Sequence, residues 1–221
     1  MLKRIEQTII GQFNFEKIND ERNQRNKSSN VWFDDYDKKI KLEIGSQIKP
    51  DPYIKKEIKS YIHEYLEKFN LTNGIIKYNL RSIFINILCI ERTFIDKVMA
   101  IKRHAICNNL SEKVRHIYDV HRLLKVDAIK DFLKNKKELK RLLQITKQTD
   151  LFYFEKRNIS VKYNSMAPYD FDSWKDKFTD DVKDKYEKLH LTLLYTNEIQ
   201  CFEDAIKSFE YLNSIFLEIG E

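Results

Sequence analysis

Glu91-Arg92-Thr93-Phe94-Ile95-Asp96-Lys97, followed further on by Arg115-His116-Ile117-Tyr118-Asp119, is the pair of stretches on which the fold turns. On a helical wheel Phe94, Ile95, Val98, Met99 and Ile101 form one apolar stripe, so a helix is expected over 91–106. Thr93 and Lys97, spaced i and i+4, stand together on its flank. In a second helix, expected over 111–124, Val114, Ile117, Tyr118, Val120 and Leu124 face a core. Arg115, Asp119 and Arg122 share the polar side. Both helices bury one face and keep a line of charge beside it.

The pattern changes on the N-terminal side. Leu2, Ile5, Ile9, Ile10 and Phe13 suggest a short helix to about Phe15, and Asn19 to Asn30 reads as a polar, exposed connection. Ile40, Leu42 and Ile44 alternate with Lys39, Lys41 and Glu43, the period of a half-buried strand ending at Gly45. Val31 to Tyr36 is its expected partner, turning through Asp37-Lys38. Pro50 and Pro52 then punctuate the chain. Ile54, Ile58, Ile62 and Leu66 suggest an amphipathic helix from Tyr53 to Phe69, and Ile83 to Ile90 reads as a buried strand. No further strand is expected. Helices are expected at 126–145, 148–158, 171–190 and 199–218, with breaks near Asn108-Asn109, Val126-Asp127 and Pro168. The predicted class is α+β and helix-rich overall: a small mixed α/β portion, then a C-terminal helical bundle. Domains are expected at 1–125 and 126–221.

The bulk numbers agree with one sizeable core or two modest ones. The chain has 221 residues, and its 4 glycines and 3 prolines are too few for a sandwich of many short strands. A net charge of +6 favours a polyanionic partner by long-range steering, though a Lys- and Ile-rich coding bias would produce the same sum. Lys134, Lys137, Lys140 and Arg141 lie in a basic run over 130–147. It reads either as a solvated helix face or as a patch for a phosphate backbone. Cys89, Cys107 and Cys201 are odd in number and form no CxxC pair, which suits reduced thiols. With no signal-like leader and no apolar run of spanning length, a cytoplasmic protein without a membrane segment is expected.

Lys97, at the margin of an apolar stripe, is suited to lay its stem on the core and hold its ammonium over an anion. Spacing alone does not separate this from an ordinary surface lysine. Nor does it separate a functional Asp119 from one paired with Arg115 in its own helix. Glu43, between lysines on its strand, is open to the same bland reading.

Taken in order, Lys41-Leu42-Glu43-Ile44-Gly45, Pro50-Asp51-Pro52, Glu91-Arg92-Thr93-Phe94-x-x-Lys97 and Arg115-His116-x-Tyr118-Asp119-Val120 resemble the AbiEii-type abortive-infection nucleotidyltransferase family. The run from Tyr186 through Phe202, Ala205, Phe209 and Leu212-Asn213 is similar to that family's last helices. The resemblance implies a polymerase-β-like nucleotidyltransferase core followed by a helical bundle. It also implies the toxin of a toxin–antitoxin or phage-defence system, with an NTP as substrate, tRNA or another RNA as acceptor, Mg²⁺ as cofactor and a cognate antitoxin as partner. Lys97 matches the nucleotide-phosphate lysine, with Arg92, Thr93 and Arg115 as further nucleotide-binding candidates. Asp119 matches the final-motif aspartate, and Glu43 the strand acid, a catalytic and metal-associated carboxylate. Asp96 departs from the pattern, which commonly has Glu before the lysine.

A larger departure lies at the front. The family's first motif, a Gly-Ser turn followed by Asp-x-Asp on a strand, has no good copy in this chain. Ser28-Ser29 followed by Asp35-Tyr36-Asp37 matches by letters, with Asp35 and Asp37 as its metal acids. Its spacing is short, however, and Asp37 falls in the expected turn. The chain is expected to begin after that motif, so catalysis by a complete enzyme and binding by a truncated relative both stay open. The alternative from another class is a non-catalytic, basic helical module that binds nucleic acid or protein. A metal hydrolase fits least, since His104, His116 and His121 form no HExxH.

Overall fold

The computed structural model describes residues 16–17, 26–33, 36–45, 51–156, 162–192 and 201–221. Two compact units divide the chain, Met1–Lys49 and Pro50–Glu221. In the first, β1 (Glu16–Lys17), β2 (Asn26–Phe33) and β3 (Tyr36–Gly45) form an antiparallel sheet in the order β1-β2-β3. The expected helix over 2–15 lies outside the described residues. The sheet corrects two expectations. Asn26 to Asn30 is strand, because its backbone pairs residue by residue with β3, from Asn26 opposite Gly45 to Asn30 opposite Lys41. Asp37 is the second residue of β3 and not part of a turn, since the two strands close at Phe33 opposite Tyr36.

The second unit opens with β4 (Tyr53–Ile58), α1 (Tyr61–Lys68), α2 (Thr72–Lys77) and β5 (Ile83–Leu88). The single helix expected over 53–69 is therefore a strand and then a helix. Ile54 and Ile58 are four apart, a spacing that suits one face of a strand as well as one face of a helix. Pairing decides between them: β4 runs antiparallel to β5, with Tyr53 opposite Leu88 and Ile58 opposite Ile83. Ser60 then caps α1, its hydroxyl accepting from the His63 amide at 3.1 Å. The strand over 83–88 is present but not buried, with Ile83 60% and Phe84 62% exposed, because its sheet has two strands only among the described residues.

From Ile90 onward the described residues are helical: α3 (Ile90–Ile106), α4 (Val114–Leu123), α5 (Asp127–Lys134), α6 (Lys136–Lys156), α7 (Asp180–Thr192) and α8 (Phe202–Leu217). The architecture is α+β and helix-rich, as the sequence predicts. The expected stripe of α3 is the centre of the core: Phe94, Ile95, Val98, Met99 and Ile101 are fully buried, and Ala105 one turn on is buried with them. Ile117 and Val120 of α4, Ile129 of α5, Leu139 and Leu143 of α6 and Phe209 of α8 join it in one cluster.

Two helix boundaries differ from expectation for local reasons. Asn135 separates α5 from α6, and its side chain accepts from the Glu138 amide at 3.2 Å. That starts a helix which runs unbroken through 145–148. Residues 171–178 form two 3-10 turns instead of the start of a long helix. There the Phe171 amide donates to Asn213 Oδ1 at 3.0 Å and the Trp174 indole donates to the Tyr169 carbonyl at 2.9 Å. Phe171, Trp174, Phe178 and Phe209 pack as one group of rings, which holds the segment out of helical continuation.

The basic run of α6 is used in part to hold the last residues of the chain. Lys136 pairs with Glu218 at 2.7 Å, Lys140 donates to the Ile219 carbonyl at 3.1 Å, and buried Lys147 pairs with Glu221. Lys102, also buried, donates to the carbonyls of Ala167 and Pro168. Burial, and then the charge of Lys147, push the Lys102 ammonium down to about 8. Glu221→Gln leaves Lys147 buried without its counter-charge and should cost about 3–5 kcal/mol in urea denaturation. Glu138→Gln, at the exposed Arg141 pair, should cost less than about 1 kcal/mol. Lys102 gives up its proton near pH 8 when folded and near 10.5 when free. The unfolded state thus holds more protons between those values, and stability should rise with pH across that window. In Lys102→Met that rise should be flattened.

Candidate active site

Two motif residues far apart in sequence meet where α3 packs on α4. Lys97, near the middle of α3, donates its ammonium to Asp119 Oδ2 at 2.6 Å. Asp119 therefore takes its partner from the neighbouring helix and not from Arg115 within α4. His116, one turn before Asp119, is the third member: its Nδ1 lies 3.5 Å from Lys97 Nζ and 3.7 Å from Asp119 Oδ2. All three side chains are partly exposed, Lys97 25%, His116 33% and Asp119 36%. Partial burial raises the Asp119 carboxyl, but its basic neighbours His116 and Lys97 outweigh it and hold the group below its ordinary range. The result is a cation, an anion and an imidazole at one half-covered spot, backed by the apolar stripe of α3.

Arg92, one turn before Asp96 on the same helix, has a different situation. It is 1% exposed, and each guanidinium nitrogen has a fixed acceptor. Nε donates to Asp96 Oδ1 at 2.8 Å, Nη1 to the Asp51 carbonyl at 3.0 Å and Nη2 to Thr149 Oγ1 at 3.3 Å. Thr146 donates to the same Asp96 oxygen at 2.9 Å. The Arg92–Asp96 pair thereby ties α3 to α6 and to the residues entering β4, one residue away from Lys97. Thr93, the expected companion of Lys97, spends its hydroxyl on the Cys89 carbonyl at 3.2 Å. Arg115 is exposed on α4.

The remaining acidic candidates belong to the other unit. Glu43 and Asp37 both lie on β3, Glu43 opposite Ser28 of β2, and Asp35 lies outside the described residues. Among the described residues no group of three or more His, Cys, Asp and Glu fits a metal ion. His104 is bonded to Asn109 at 2.9 Å and His121 to Ser208 at 2.8 Å, away from any metal cluster among the described residues. Of the basic run, Lys134 is paired with Asp131 at 2.8 Å and Arg141 with Glu138 at 2.7 Å, while Lys137 is exposed. Sequence reasoning passes over His116 and Asp96 as working parts. The i,i+3 spacing of His116 and Asp119 is the available signal for the first.

Cys89, Cys107 and Cys201 are free thiols, and no helix among the described residues is long and apolar enough to cross a membrane. The two arginines make opposite predictions for stability. Arg92→Met should leave Asp96 half-buried without its cation and cost about 3–5 kcal/mol by chemical denaturation. Arg115→Ala should change stability by less than about 0.5 kcal/mol.

No curated protein and no solved structure matches the chain. The family model described as nucleotidyl transferase AbiEii toxin, Type IV TA system, matches residues 2–198, a span that takes in β3, the Lys97 helix and the Asp119 helix. With most of its length matched, and with the two motif lysine and aspartate residues meeting side by side, the chain belongs to the AbiEii nucleotidyl transferase toxin family.

Proposed function

We propose that this protein acts as the toxin of a toxin–antitoxin pair by transferring a nucleotide from an NTP to an acceptor such as tRNA, with Lys97 taking the triphosphate. The observation that carries this reading is the meeting of Lys97 and Asp119 at 2.6 Å from two separate motifs. Nucleotidyl transfer asks little covalent chemistry of a protein. It asks for a positioned phosphate chain and for positive charge where negative charge accumulates. An ammonium on a partly exposed helix flank meets the second need, because it can leave a carboxylate for a phosphate without unfolding anything.

Asp119 holds that ammonium in position, and the Arg92–Asp96–Thr146 contacts hold the helix from which it projects. In this reading Arg92 acts by positioning Lys97 and not by touching nucleotide. The acids that the family resemblance assigns to metal, Glu43 with Asp35 and Asp37, belong to the first unit, and no step is assigned to them.

The test is transfer of radiolabelled nucleotide from each NTP to total tRNA by the full chain, beside Lys97→Ala and Lys97→Arg. Lys97→Ala should lose at least about 100-fold in rate, as removal of a preorganised charge at a transferring group does. Lys97→Arg should recover part of it. Equal labelling by wild type and Lys97→Ala would remove the role given to Lys97. NTP binding that depends on Lys97, with no labelling, would make the protein a binding relative and not a transferase.

A further inference from the structure

His116 is used by none of the steps above, yet it stands within 3.7 Å of both charges of the pair. A lysine ammonium can only donate, so toward Lys97 the Nδ1 atom presents its lone pair. The ammonium is then shared between Asp119 Oδ2 and that lone pair. Removing the ammonium has a defined consequence. Asp119, only 36% exposed, is left with a negative charge and no cation, next to an imidazole that can accept a proton.

From this geometry we infer that His116 is a positioning residue that takes up a proton when an anionic ligand draws Lys97 off Asp119. The inference rests on the reading that Lys97 is the phosphate-binding group. The balance is simple. A proton from the buffer bonds to His116 Nδ1, and the imidazolium N–H then donates to Asp119 Oδ2 in place of Lys97. The ammonium moves to the ligand's phosphate oxygens. Asp119 stays ionised throughout, so Lys97 is released without leaving a bare partly buried carboxylate. The same exchange returns Lys97 to Asp119 when the ligand leaves.

The sign of the pH dependence follows from linkage. The bound state holds the extra proton, so affinity falls as pH rises, by up to about tenfold per pH unit. Among the described residues Lys97 and His104 of α3 and Asp119 of α4 lie near His116, while Lys113, in the turn before α4, acts on His104. Of the elements packed on α4, α7 has Lys185 bonded to Ser111, and α8 has Asp204 near His121. His104 is occupied by Asn109, and burial lowers its proton affinity, which leaves His116 as the group able to exchange.

Calorimetry of inorganic pyrophosphate binding to the full chain, in metal-free buffers of low and high ionisation enthalpy, counts the protons taken up. Wild type should take up more than His116→Gln, and its affinity should fall more steeply between pH 6.5 and 8 (about the imidazole range). Because both proteins meet the same pyrophosphate, the ligand's own ionisation cancels. Equal proton uptake by the two, with binding still lost in Lys97→Met, overturns the inference and leaves the Lys97 reading standing. Binding that Lys97→Met does not weaken, or no binding to wild type, overturns that reading and the inference with it. Should His116→Gln not fold, the wild-type His116 imidazole resonance serves instead. Its titration midpoint should move up on adding pyrophosphate, and an unmoved midpoint overturns the inference.

Discussion

A helix buried along one whole side must find a fixed acceptor for every cation it carries inward, and α3 carries four. Arg92 has Asp96, the Asp51 carbonyl and Thr149; Lys102 has two carbonyls of the 167–168 segment; Arg103 has Asp150; Lys97 has Asp119. Desolvating a charge without such partners costs several kcal/mol, so the packing around α3 is as much a set of charge pairings as a set of apolar contacts. Each pairing also brings in another element: α6 through Thr149 and Asp150, the 162–170 segment through Lys102, and α4 through Lys97. The bundle is organised by where those cations had to go.

The four pairings are not equivalent, and the difference separates architecture from chemistry. Arg92 and Lys102 are sealed, with their donors committed to groups that cannot move independently. The Lys97–Asp119 pair sits in a partly solvated place and has a third group, His116, beside both partners. Asp96 precedes Lys97 in the chain, and its contacts with Arg92 and Thr146 tie α3 to α6 at that point.

The helices at 90–106 and 114–123 were legible because burial of one side imposes a 3.6-residue period, and that period was uninterrupted. The segment 53–58 was not legible, because isoleucines four apart satisfy a strand and a helix alike. Only the register against Ile83–Leu88 separates the two. The turns at 171–178 were hidden for another reason. Their cause is packing among Phe171, Trp174, Phe178 and Phe209 and a bond to Asn213, all of which depend on the approach of α8. Asn135 was legible in principle, since an asparagine three residues before Glu138 is a cap signal, but the helical period on both sides masked it.

By itself the sequence determined the class of the fold, the apolar stripe of α3, and the order of motifs by which Lys97 and Asp119 were singled out, because periodicity and motif order are properties of the chain. Tertiary structure alone decided which charges meet. In sequence Asp119 had an eligible partner four residues away in Arg115, and a lysine on another helix was no more than a candidate. The crossing of α3 and α4 set Lys97 at 2.6 Å and brought His116 beside both. Pairing between helices depends on their distance and rotation, which the burial of both apolar faces fixes together and neither stretch encodes alone.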